Sequence, residues 1–202
     1  LGDVYKRQVY YFTDVLGQPK GQSLFQTIGA VGSVVGLLVI PMLSEKFTMR
    51  SIYTISLSMT ILGYALMFLF GPVLKIAIAL DICYILASVG ISSMFVSQTV
   101  FLADIVDYGE YKNGLRSESI TFSMKGFLQK MAYTIQTVIL FGGLGIFGYN
   151  EQIKEGVINS ATKNAIGTIA FGIPPILIII SMIVFRSKFK IHGELAEKIH
   201  SY

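Results

Sequence analysis

The chain has 202 residues, of which 53% are hydrophobic and 14% charged, and its mean hydropathy is +0.65. Soluble domains carry about 25% charged residues, so this sequence has too little charge to coat a globule in water, which argues against a soluble enzyme. The net charge of +4 does not point to nucleic acid either, because the basic residues form no patch interleaved with aromatics and sit in short segments between apolar runs, where membrane proteins keep their orienting charges.

The first eight residues, LGDVYKRQ, resemble the translation of a sequencing-library adapter and are set aside from the fold. On that reading residues 1–8 are an artefact and the natural protein starts further upstream. VYYFTDVL (9–16) is too short to span a bilayer and reads as the tail of a truncated helix. GQPKGQS (17–23) is a loop by its Gly and Pro content. A first full span is expected over 24–43, where Gly29, Gly32 and Gly36 permit close helix contact. SEKFTMR (44–50) makes a charged turn, a second span covers 52–70, and GPVLK (71–75) is a tight connection. The third span, 76–103, is long enough to tilt or to overshoot the hydrocarbon. The most polar stretch of the chain, 104–119, follows it. A fourth span is expected over 120–147, a polar loop over 148–164, and a last span over 165–185 with Pro174-Pro175 inside it. Residues 9–185 therefore form one bundle, and the charged 186–202 is a tail, read as a short amphipathic helix.

Lysine and arginine asymmetry sets the orientation. One side holds Lys46, Arg50, Lys112, Arg116, Arg186, Lys188, Lys190 and Lys198; the other holds Lys20, Lys75, Lys154 and Lys163. Eight against four places the C-terminal tail in the cytoplasm. The lone Cys83 lies in an apolar run, and the two histidines, His192 and His200, lie in the tail, so neither a disulfide framework nor a metal site is expected. No phosphate loop and no Ser/His/Asp set is present, and no cofactor is expected.

A charge inside a span costs on the order of 2.5–3.5 kcal/mol on insertion scales, so Lys130 in the fourth span needs a reason. Ser123, Gly126, Lys130, Tyr133, Thr134 and Thr137 share its helical face by the i, i+3, i+4 rule. Such a stripe suits a helix that faces a water-filled cavity. The plain alternative is snorkelling to the interface, which suits Lys125, nearer the end of the span, better than Lys130. On the third span Asp81, Ser88, Ser92, Phe95 and Thr99 fall along one face, with Gln98 beside it. Hydroxyls next to an aromatic face are what a sugar asks for, although serine and threonine also glue membrane helices together, and for this stripe packing is the stronger reading.

ADIVDYGEYKNGLRSESITFS (103–123) is the most specific text in the chain. It resembles the signature between transmembrane helices 10 and 11 of the glycoside–pentoside–hexuronide:cation symporters, the melibiose-carrier family of the major facilitator superfamily. The resemblance covers essentially 9–202 and includes YYFTDVLG before helix 8 and Gly148-Tyr149 closing helix 11. It implies an all-α polytopic membrane bundle, a partial major facilitator fold of about helices 7–12, with the N-terminal six-helix half absent. It implies no residue-bound cofactor, only a coupling cation, sodium or a proton, in the full-length protein. Lys130 matches the family's helix 11 lysine, implicated in cation coupling. Phe95 falls where the family sets an aromatic residue, a tryptophan, against the sugar, and Gln98, Tyr133 and Thr134 complete the expected substrate and cation contacts. Asp104, Asp107, Glu110, Arg116 and Glu118 match charged positions that resemble a cytoplasmic gate of ion pairs between the two halves.

The function this implies is one wall of a secondary transporter that imports a sugar or glycoside by symport with sodium or protons across a bacterial-type cell membrane. Its partners are the sugar, the bilayer and the missing half. The competing expectations are a major facilitator carrier of a non-sugar solute, and a non-transporting membrane sugar sensor or subunit. A membrane-embedded enzyme lacks any nucleophile or metal constellation in the spans.

Overall fold

The computed structural model describes residues 8–74 and 77–188. Residues 1–7 of the segment set aside above, Lys75 and Ile76 at the junction of the second and third spans, and 189–202 of the expected tail lie outside the described residues. All regular structure among the described residues is helical. A π-helical turn, Tyr11–Val15, leads into α1 (Pro19–Ser44). Next come α2 (Met49–Phe68) with a π-helical turn Leu69–Val73, then α3 (Ala77–Asn113) and α4 (Glu118–Ile146). A short α5 (Tyr149–Lys154) precedes the last rod, built from α6 (Ser160–Gly167), a π-helical turn Thr168–Gly172 and α7 (Ile173–Lys188).

Four of these rods are long and apolar enough to cross a membrane: Lys20–Ser44, Met49–Val73, Ile78–Asn113 and Ser160–Lys188. The chain is thus a multi-pass membrane bundle, as its apolar runs require. Helix α4, with 29 residues, has the length of a fifth span but not the apolarity, because Lys125, Gln129, Lys130, Tyr133, Thr134 and Gln136 interrupt it. Helix α3 runs on to Asn113, ten residues past the expected end of the third span at 103. A helix satisfies its own backbone, so nothing in the change from apolar to charged residues stops it; the stop comes at Gly114, at φ +69°, in the left-handed region glycine enters freely.

Small residues hold the bundle together. Along α1 a Cβ at Gly29, Gly32 or Gly36 would collide with Tyr84, Ser88 and Ser92 of α3 respectively. Both series ascend together, so α1 and α3 run parallel, and Ser93 Oγ donates to the Gly36 carbonyl at 3.3 Å. Without a hydrophobic drive between helices in lipid, such close backbone approach is what gains packing energy. Helix α2 lies on α3 in the opposite sense, with Gly63 against Ala87, and Gly90 against Ser56 and Thr60. The buried hydroxyls of Ser56, Thr60 and Ser97 donate back to their own helix, to the carbonyls of Ile52, Ser56 and Ser93, so none is stranded in the apolar interior.

Aromatic clusters close both ends. At one, Phe25 stacks on Tyr84 with centroids 4.0 Å apart, and Tyr11 meets Phe171 edge-on. At the other, Tyr53 of α2 meets Phe185 of α7 at 4.5 Å and Phe101 of α3 at 5.4 Å. Apolar side chains of α1, among them Val31, Val34, Leu38 and Met42, remain exposed. That surface is what lipid covers in a membrane protein, and in water it would be an association hazard.

Candidate functional site

Helix α4 is the least buried of the long helices. Only Leu140 and Leu144, near its C-terminal end, are buried. Its first half leans on α3 across a groove where Gln98, Leu102 and Ile105 face Met124, Lys125, Leu128 and Gln129. Its second half leaves a cavity against α7, lined by Ile135, Gln136, Ile139, Pro174 and Leu177. The remaining face, with Ser123, Lys130 and Thr134, is exposed.

Lys130 therefore sits 12 residues into a 29-residue helix, about 18 Å from its start at 1.5 Å per residue. Its side chain is exposed on the polar stripe, and among the described residues no carboxylate pairs with its ammonium. Thr134 Oγ1 donates to the Lys130 carbonyl at 3.1 Å, and Thr137 Oγ1 to the Tyr133 carbonyl at 2.9 Å. These bonds turn the hydroxyls onto their own backbone and leave their methyl and oxygen surface along the stripe. Gln129 Nε2 donates to Tyr133 Oη at 2.9 Å, which holds the phenol over the preceding turn.

The other expected contacts divide. Phe95 is 46% exposed, a large ring uncovered on α3. Gln98 lies in the α3–α4 groove beside Lys125 and Gln129. Lys125, read from sequence as a snorkelling side chain, reaches across that groove instead, its Nζ donating to Thr99 Oγ1 at 3.4 Å. Ser88 and Ser92 take no part: both are buried, both donate to their own helix, and both fill the space left by Gly32 and Gly36. The packing reading of that stripe holds for them. Asp81 belongs to neither group; its Oδ1 is buried without a hydrogen-bond partner among the described residues.

The charged hairpin between α3 and α4 is ordered by one arginine. Arg116 Nη1 donates to Glu110 Oε2 at 2.9 Å and to Asp107 Oδ1 at 3.2 Å, while its Nε lies 3.8 Å from Glu118 Oε2. Its guanidinium is held further above its ordinary pKa, first by the bond to Glu110 and then by the charges of Glu118 and Glu110. Four of the five expected gate residues are thus brought together within one hairpin. Asp104 stands one turn earlier on α3, partly buried.

Two contacts had no sequence signal. Tyr149 Oη donates to Asp14 Oδ2 at 2.5 Å, tying the start of α5 to the N-terminal turn over 135 residues. Burial, and then the neighbouring carboxylate, push that phenol's pKa up. Arg50 Nη2 donates to the Arg186 carbonyl at 3.1 Å, joining α2 to the end of α7. Both link residues far apart in the chain, so periodicity along one helix is blind to them.

The sequence pattern of the MFS/sugar transport protein family matches residues 6–192. The raffinose carrier protein of Pediococcus pentosaceus is 23% identical over 95% of this chain and 30% of its own length. A lactose permease of Leuconostoc lactis is 27% identical over 95% of this chain and 29% of its own. The glucuronide carrier protein homolog of Escherichia coli (strain K12) is 28% identical over 79% of this chain and 35% of its own. The chain thus spans about a third of the length of these curated relatives.

Proposed function

The chain belongs to the MFS/sugar transport protein family, and from that premise we propose that it forms one wall of a symporter which imports a sugar or glycoside together with sodium or a proton. The observation that carries this reading is Lys130: a mid-helix ammonium, exposed on a polar stripe and unpaired among the described residues, on a helix whose neighbours leave that face uncovered. Charge of this kind inside a span is functional by default. A second bundle of about six helices, facing α4, would close the path. Sugar hydroxyls would then bond to Gln98, Tyr133 and Thr134, and the sugar's C–H face would lie on Phe95.

Import follows if sugar and cation each bind better when the other is present, a coupling free energy between two sites. One bundle then rocks against the other around the filled site. In this scheme the Asp107, Glu110, Arg116 and Glu118 pairs, with Asp104 behind them, would trade partners with the opposing half as the cytoplasmic side opens. Exposed ion pairs are cheap to break and remake, which suits a contact reformed in every cycle. The basic end, with Arg50, Arg116 and Arg186, would face the cytoplasm of a bacterial-type cell. The assignment leaves no role for catalysis, in keeping with relatives named as carriers and permeases.

The test is uptake by the full-length transporter that contains this segment, with labelled glycosides and hexuronides, with and without a sodium or acid gradient. Stimulated accumulation supports symport. Accumulation of a non-sugar solute instead would move the cargo, and sugar binding without accumulation would make the protein a sensor.

A further inference from the structure

The basic end of the bundle holds a polar cleft that sugar transport leaves unused. The first turns of α2 supply Arg50, Ser51, Thr54 and Ile55, and the last turn of α7 supplies Arg186. A guanidinium has five N–H donors; Arg50 gives one of them to the Arg186 carbonyl, which pins the two helix ends side by side, and its other donors remain for a ligand. The Arg186 side chain is exposed. Among the described residues neither Arg50 nor Arg186 makes an ion pair, so no carboxylate there neutralises either arginine of the cleft. Two cations share one recess beside the N-terminus of α2, an arrangement that favours an anion.

One apolar side chain, Ile55, completes the lining. Ile55 lies one turn further along α2 from Ser51 and is 40% exposed, and Ile183 and Val184 on α7 are exposed beside Arg186. A cationic mouth beside exposed aliphatic side chains matches a phospholipid rather than a free anion, which would use the arginines and leave Ile55, Ile183 and Val184 idle. We propose that this cleft seats an anionic phospholipid of the leaflet at the basic end, with the phosphodiester held by Arg50 and Arg186 and an acyl chain against Ile55. The proposal is independent of the cargo.

The test uses the whole chain, purified in a non-ionic detergent and mixed with phosphatidylglycerol or phosphatidylcholine of identical acyl chains, with bound lipid counted by native mass spectrometry. Preference for phosphatidylglycerol is expected. Arg50→Gln/Arg186→Gln should weaken it roughly 30-fold, the product of two surface cations, and Arg50→Lys should retain most of it. Lys163→Gln, at the opposite end, should leave it unchanged. If the double variant fails to fold by circular dichroism, Arg186→Gln alone, at an exposed side chain, serves in its place and should cost about fivefold. Equal retention of the two lipids by the unaltered chain overturns the proposal, as does a preference that survives loss of the arginines. Displacement of the lipid by millimolar inorganic phosphate identifies a free-anion site and overturns it too.

Discussion

Helices α1, α2 and α3 and helix α4 solve opposite problems. In the first three, glycines on one helix receive side chains of the next: Gly32 takes Ser88, Gly36 takes Ser92, and Gly63 takes Ala87. A Cβ on Gly126 or Gly142 of α4 would meet nothing within 4 Å. The packed trio turns its buried hydroxyls inward, those of Ser56, Thr60 and Ser97 onto their own helix and that of Ser93 onto the Gly36 carbonyl of α1. Helix α4 leaves its polar face uncovered and anchors itself mainly by Leu140 and Leu144. Packing makes the platform, and the helix that is not packed presents the chemistry.

The strongest way to break this contrast is at Lys130. In the full-length transporter, Lys130→Ala should abolish concentrative sugar uptake while leaving insertion intact, since it removes a charge costing on the order of 2.5–3.5 kcal/mol in a span. Wild-type accumulation ratios in the variant would move the site off α4. Next in size is Gly36→Leu, which forces a side chain into Ser92 and the Val89 backbone. Overpacking of this kind should cost about 1–3 kcal/mol, read as a lower midpoint in thermal unfolding of the detergent-solubilised chain. Gly126→Ala is the counterpart on α4: with open space around it, the isolated chain should gain roughly 0.5–1 kcal/mol from the better helix former. A loss of uptake in the full-length protein with that gain would show that a second bundle comes close to residue 126. Smallest is Ser88→Ala, whose hydroxyl serves only its own helix; sugar affinity in binding titrations should not change. A marked fall would return Ser88 to the site.

Four of the rods were legible from apolar runs alone, because crossing hydrocarbon demands both length and apolarity. The family likewise stood in the charged text from Asp104 to Glu118. What could not be read was decided between helices. Ser88 and Ser92 look like a sugar-facing stripe until Gly32 and Gly36 are set opposite them. Lys125 has the position of a snorkelling residue, and only the proximity of α3 turns it toward Thr99. The length of α3 was underread for another reason: hydropathy marks where hydrocarbon ends, not where a helix does. The closure of the Arg116 pairs within the hairpin depends on the turn at Gly114, which folds Arg116 back over Asp107 and Glu110, and no spacing along the sequence shows that fold-back.

That overlong helix has a mechanical consequence. Its 37 residues extend about 55 Å at 1.5 Å per residue, against a hydrocarbon layer of about 30 Å. Its charged tip therefore rides beyond the hydrocarbon, fixed to a stiff arm that α1 and α2 grip as far along as Phe101. A tilt of about 5° about the Tyr53–Phe101 contact moves Asn113, 12 residues and about 18 Å further on, by about 1.6 Å. Rotations too slight to disturb the glycine seams would thus carry the Arg116 cluster, its partners moving with it, past whatever faces the tip.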